Sequence, residues 1–330
     1  MRHPVRYLCI LLLSCAASLS LQNALAWDSA GHRVSAAIAN HYLSDETRRE
    51  LLRILQQHPR YREDFLDQMP NSVASGDEQE QFDWLLGQAA FWPDITRGLP
   101  EAQRSRYNRA NWHYIDGAWL RGAASIQGNS YIGAAPFADI AGTTVYQEAA
   151  ADNVMTALDF NSALLADQQA PLPQRAVALC WVLHLIGDIH QPLHVGSLYS
   201  ARHFRTGDRG GNGVETDQGN LHARWDRALR DEGIRDSFNA ALTRHSETLA
   251  GLTAQNAGDW SVWMNESRAL LLNTVYTEEM KTTIARVDSG NGQLPAFELD
   301  NDYVETMKYH AGMRLALAGR RLALWLDENL

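Results

Sequence analysis

Apolar side chains recur along this chain mostly at three- and four-residue intervals, the period of an α-helix packed on one side. Residues 30–43 place Val34, Ile38 and Tyr42 on one face with His41 beside them, and 46–56 reads as a second helix ending near His58-Pro59. From Leu172 the run Ala176-Val177-Ala178-Leu179-Cys180-Trp181-Val182-Leu183-His184-Leu185-Ile186 is apolar nearly all round, which predicts a helix buried on every side. Pro173 suits its first turn, where a missing backbone donor costs nothing. Between Tyr303 and Asn329, the residues Met307, Ala311, Leu315, Ala318, Leu322 and Leu326 mark a long amphipathic closing helix. No run alternates with the period of a strand. Two regions read as loops: 121–144, rich in Gly, Ala and Ser, and 200–218, with Gly207, Gly210, Gly211 and Gly213. With no internal repeat and no separating linker, the pattern predicts a single all-α, predominantly helical domain with long functional loops.

The first 26 residues follow a different rule. Arg2 and Arg6 give a positive start, Leu8 to Leu13 an apolar run, and Ala24-Leu25-Ala26 a small-x-small site, the order of a secretory signal peptide cleaved after Ala26. The run is too short for a bilayer, which takes about 20 residues. Leu12-Leu13-Ser14-Cys15 loosely offers a lipoprotein-like alternative. The expectation is therefore a leader over 1–26 and one domain over 27–330, exported to a periplasm or to the medium. Cys9 and Cys15 would leave with the leader, so Cys180 alone could form no internal disulfide. Of 29 lysines and arginines two precede Trp27, while none of the 39 acidic residues does, so cleavage takes the formal charge from −10 to −12. A broad basic face for nucleic acid is excluded by that balance. An anionic substrate would have to be drawn in by bound cations.

Candidate chemistry concentrates in a few segments. In His184-Leu185-Ile186-Gly187-Asp188-Ile189-His190-Gln191-Pro192-Leu193-His194, the residues His184 and Asp188 stand four apart and share one helix face. Pro192 is expected to stop that helix and let His194 fold back toward the same cavity. His222 and Asp226 repeat the spacing. Two His-x-x-x-Asp pairs with a further His make a mixed imidazole and carboxylate set suited to zinc, or less often iron or manganese. His190 points elsewhere on the helix, toward either support of a ligand or plain packing. Phe91-Trp92-Pro93-Asp94 adds a carboxylate where the chain should leave a helix, and Trp112-His113-Tyr114-Ile115-Asp116 adds an imidazole and an acid. If the chain begins at Trp27, its free amine deprotonates near neutral pH and joins the donors, with its own carbonyl and His32 as companions.

These motifs, in this order from Trp27 to Asp226, together with Gly210-Gly211-Asn212 and Asn220-Leu221-His222-x-x-Trp225-Asp226, resemble the trinuclear-zinc, single-strand-specific nucleases of the nuclease S-one/P-one family. The resemblance implies three Zn2+. One would be held by Asp94, His113, His184 and Asp188. A second would take His194, His222 and Asp226, and a third Trp27, His32 and a bridging Asp188. It implies Asp116 as the acid that orients and deprotonates the attacking water and Tyr114 as the aromatic on which a base stacks. It also implies cleavage of single-stranded DNA and RNA to 5′-phosphate products, action on 3′-mononucleotides, and a monomer free of membrane after the leader is removed. Single-strand preference has a physical cause, since a base must leave its stack to reach such an aromatic.

The chain also departs from the family pattern. Disulfides of the fungal members cannot form here, and Gly117-Ala118-Trp119-Leu120-Arg121 is less polar than expected, which puts phosphate contacts by Trp119 or Arg121 in question. Asn265-Glu266-Ser267 is a glycosylation sequon only in a eukaryotic host. Two rivals differ in class. A zinc-dependent phospholipase C typically ends its last pair in Glu where this chain has Asp226, and a non-enzymatic zinc buffer would need neither Asp116 nor an aromatic beside the cleft.

Overall fold

Short polar side chains start most of the long helices. Asp28, Ser44, Asp77, Asn153, Asp259, Thr277 and Asp300 each accept a hydrogen bond from a backbone N–H of the first turn they precede. Such a cap is worth about 1 kcal/mol. At Asn153 the cap is reciprocal, because Thr156 returns a bond to the Asn153 backbone.

A computed structural model describes residues 27–115, 130–132, 151–254, 258–290 and 292–330 of the chain, giving the backbone alone at 130–132. The fold is all-α, as the periodicity predicts. The first helix runs Ser29–Tyr42, the second Asp45–Leu55, the buried central one Leu172–Ile189 and the closing one Asn301–Asn329. Apart from the end of the central helix, their bounds lie within two residues of those expected. The central helix packs against Val154–Ala166, Glu78–Ile95, the first helix and the closing helix, so every residue from Ala178 to Ile189 is buried.

Among the described residues strands are few and short. Ser130–Ile132 pairs in parallel with Leu198–Ser200, and Glu215–Thr216 pairs antiparallel with Gly219–Asn220. Both pairs draw on stretches expected to be loops. They are too short to show the alternation that marks a strand in sequence.

Two apolar clusters form the core. One surrounds the central helix and holds Trp92, Trp112, Trp181 and Trp263. The other gathers Trp27, Ile38, Leu193, Trp225 and Leu315 between the first helix, the closing helix and the glycine-rich loop. The buried histidines and aspartates are interleaved in sequence with members of both.

His190 answers the question its position raised. Its Nδ1 donates to the Ile186 carbonyl at 2.7 Å, and its Nε2 accepts from Arg321 at 2.9 Å. Arg321 and Arg314 in turn clasp Glu266 at 2.7 and 2.8 Å. Burial, aided by the two guanidinium groups, holds His190 well below the usual imidazole range and therefore neutral. It joins the central helix to the closing one and supports no ligand directly.

Candidate metal centre

Four chain segments converge on the central helix. His184 and Asp188 project from one face of it, with His184 Nε2 3.2 Å from Asp188 Oδ2. The helix ends at Ile189, earlier than a stop at Pro192 requires, with His190 as its cap. Pro192 instead opens a single tight turn, Pro192–His194, that carries His194 back. Asp94 lies in the last turn of Glu78–Ile95, a helix that absorbs Pro93 near its end. Its Oδ1 stands 4.0 Å from His113 Nδ1 and 2.9 Å from Arg97 Nη2. His113 Nδ1 is 3.2 Å from Asp188 Oδ2 and 2.8 Å from His184 Nε2. On the helix Leu221–Asp226, His222 Nε2 lies 3.3 Å from Asp226 Oδ2, and His194 Nε2 stands 3.8 Å from Asp226 Oδ1.

The eight side chains fall into three groups, the first two sharing His184: His32, His184 and Asp188; Asp94, His113 and His184; and His194, His222 and Asp226. Within each, the donor atoms lie within 4.8 Å of one another and every residue is buried. His184 belongs to two groups. Asp188 faces both ways, with Oδ2 toward His113 and His184 and Oδ1 3.5 Å from His32 and 3.8 Å from His194.

Backbone carbonyls aim the rings. His184 Nδ1 is 2.8 Å from the Ala90 oxygen, His194 Nδ1 2.7 Å from that of His113, and His222 Nδ1 2.6 Å from that of Gly210. A carbonyl only accepts, so each Nδ1 must carry the proton and each Nε2 presents a lone pair. This is the arrangement that fixes imidazole ligands from behind. Gly210 can serve only as glycine. Its φ is +60°, and a Cβ there would meet the Leu193 carbonyl oxygen at 2.1 Å.

Left to themselves these groups do not satisfy one another. Both nitrogens of His32, Nε2 of His113, Oδ1 of Asp188 and Nε2 of His194 are buried without a hydrogen-bond partner. Each such atom costs about 1–3 kcal/mol. Burial, then the neighbouring His184, holds His32 well below the usual imidazole range, and burial with the nearby Arg97 charge pushes His113 down to about 4. Burial also drives Asp226 well up, toward a protonated state that a cation would reverse. Asp188 goes the other way. Burial alone would raise it, but His184 and His194 outweigh that and keep it charged, as Asp188 and Asp94 raise His184 against its own burial. Unpaired imidazole nitrogens converging on carboxylates in a dry pocket are the donor set of a divalent metal centre, and mixed nitrogen and oxygen ligation fits zinc.

Trp27 is fastened to the same place. Its indole Nε1 donates to the Gly187 carbonyl at 3.0 Å, and the next residue's N–H donates to the Asp226 carbonyl at 3.2 Å. Tyr114 directly follows His113 and keeps 44% of its surface exposed, unusual for a large aromatic in this fold. Asp116, Trp119 and Arg121 lie outside the described residues. Two residues that no sequence motif singles out also reach the ligands: Arg97, one turn beyond Asp94, and Gln191, whose amide donates to Asp226. A polar, uncharged residue between a helix end and a proline, set among His and Asp donors, was the available signal for Gln191.

The chain is similar to several known proteins. Nuclease S1 of Aspergillus oryzae is 26% identical over 163 residues, 46% of this chain and 53% of that protein. Endonuclease 4 of Arabidopsis thaliana is 31% identical over 157 residues, covering 46% and 50%, and Endonuclease 2 of the same plant 30% over 177, covering 52% and 57%. The chain thus spans about half the length of the curated relatives it matches. The family model described as S1/P1 Nuclease matches residues 27–330. On that match, which takes in all eight clustered histidines and aspartates, the chain belongs to the S1/P1 nuclease family.

Proposed function

We propose that this chain is an exported zinc-dependent endonuclease that hydrolyses phosphodiester bonds of single-stranded DNA and RNA, leaving 5′-phosphate products, and that it also acts on 3′-mononucleotides. The observation that carries the reading is one buried cluster in which two donor groups share His184 and Asp188 reaches the third through His194 at 3.8 Å. In this reading Asp94, His113, His184 and Asp188 hold one zinc, His194, His222 and Asp226 a second, and Trp27, His32 and Asp188 a third. Bound zinc supplies Lewis acidity and lowers the pKa of water toward 7. The local positive charge also explains how a chain of formal charge −10 attracts a phosphodiester.

The chain's own residues do the rest. Asp116 holds the attacking water and takes its proton. Tyr114, exposed next to His113, offers its ring to an unstacked base. Removal of residues 1–26 frees the Trp27 amine, and the mature protein works as a monomer.

The test is acid-soluble nucleotide release from denatured DNA by the purified protein beginning at Trp27, with and without a zinc chelator. Chelator-sensitive release is expected. Absence of release from protein shown to hold zinc would overturn the reading, and phosphatidylcholine would then be the substrate to try.

A further inference from the structure

We infer that Gln191 is a positioning residue for the His194, His222 and Asp226 group, fixing which oxygen of Asp226 is free to bind metal. The inference rests on the zinc reading above. Gln191 is fully buried, at the join between the central helix and the turn Pro192–His194. Its Oε1 accepts from the Leu193 backbone N–H at 2.5 Å, and its Nε2 donates to Asp226 Oδ1 at 2.7 Å.

The amide has one possible orientation. A backbone N–H can only donate, so the oxygen must face Leu193, and the NH2 is thereby aimed at Asp226. One carboxylate oxygen is then engaged by a strong, charge-assisted hydrogen bond. The other, Oδ2, stands 3.3 Å from His222 Nε2 and is left to coordinate. The same side chain braces the turn that presents His194, whose own N–H donates to the Gln191 carbonyl at 3.0 Å. A single residue therefore sets two of the three donors in this group, and does so from outside the ligand set.

A supporting hydrogen bond of this kind is commonly worth 10- to 100-fold in metal affinity. Glutamate is nearly the same size but has no NH2, and would place a second carboxylate against Asp226. Methionine fills the volume and offers neither bond. The experiment measures zinc per chain by elemental analysis after dialysis against graded chelator, for wild type, Gln191→Glu and Gln191→Met, with thermal unfolding of each. Both variants are expected to lose one zinc at chelator concentrations at least 10-fold below those that strip it from wild type, while the other two remain. Retention of all zinc by either folded variant across the same range would overturn the role of Gln191. A variant that fails to fold in both forms, with or without added zinc, would make Gln191 a folding residue and overturn it as well. Wild type that holds no zinc would defeat the metal reading itself, an outcome distinct from both.

Discussion

The rings of His32 and His184 lie face to face, 3.8 Å apart between centroids and 16° from parallel, both sealed from solvent. Two imidazoles this close cannot both carry an extra proton at tolerable cost, and His32, held well below the usual imidazole range by burial and by His184, is the ring kept neutral. His32 reaches the stack because Gly187 has no side chain: a Cβ there would come 2.9 Å from His32 Nδ1 and 3.1 Å from Cε1.

Gly187→Ala should therefore displace the His32 ring rather than merely crowd it. We expect about 1–3 kcal/mol of lost stability from overpacking, and loss of the zinc that His32 helps to hold while the His194, His222 and Asp226 group keeps its own. Metal content and thermal unfolding measured together check this. Full zinc occupancy in the alanine variant would remove His32 from the ligand set.

An extra residue left in front of Trp27 should remove one zinc and most activity. The amine would then sit inside a peptide bond, although the Trp27 indole could still reach Gly187. Elemental analysis of protein with and without a preceding alanine decides the matter, and equal metal content would sink the amine as a ligand.

Tyr114→Ala and Asp116→Asn should separate binding from chemistry. Loss of a stacking platform worth about 1–3 kcal/mol per base should raise KM for oligonucleotides and leave zinc content unchanged. Loss of the acid should lower kcat by roughly 10²- to 10⁴-fold, again with full zinc. Steady-state kinetics on a short single-stranded substrate distinguish the two, and a variant of Asp116 that keeps its kcat would exclude it as the general base.

His58 supplies a pH dependence independent of the metal centre. It is buried against Trp92 and Phe65, and burial lowers it to about 3. Above the unfolded imidazole value of about 6.5 both states are neutral and its burial costs nothing extra. As pH falls from there toward 3 only the unfolded chain takes up a proton, so stability is lost across that window. His58→Leu should flatten the loss by about a few kcal/mol, making the variant relatively more stable at pH 4 than at pH 7. Denaturant unfolding at several pH values tests this, and parallel curves for the two proteins would refute it.

The helices and the ligand residues could be read from sequence because both leave side-chain signatures: Leu315 and Leu322 repeat with the turn, and His184 and Asp188 share a face. The devices that aim the ligands could not. The oxygens of Ala90, His113 and Gly210 belong to the backbone, and nothing in a residue's identity says where its carbonyl points. The pairing of Ser130–Ile132 with Leu198–Ser200 was hidden for a similar reason, since three residues are too few to display a period. Pro93 marks a helix end to within two residues, since the chain leaves the helix at Ile95.

Cys180 is buried and is the one thiol after Trp27, so this domain has no covalent cross-link available to it. The proposed ions would tie together segments near 27–32, 94–113, 184–194 and 222–226, distant stretches that a disulfide framework would otherwise have to join. Fastened in that way, the protein would be indifferent to reducing agents and vulnerable to scavenging of metal instead, so its lifetime would follow the zinc supply of its surroundings rather than their redox state.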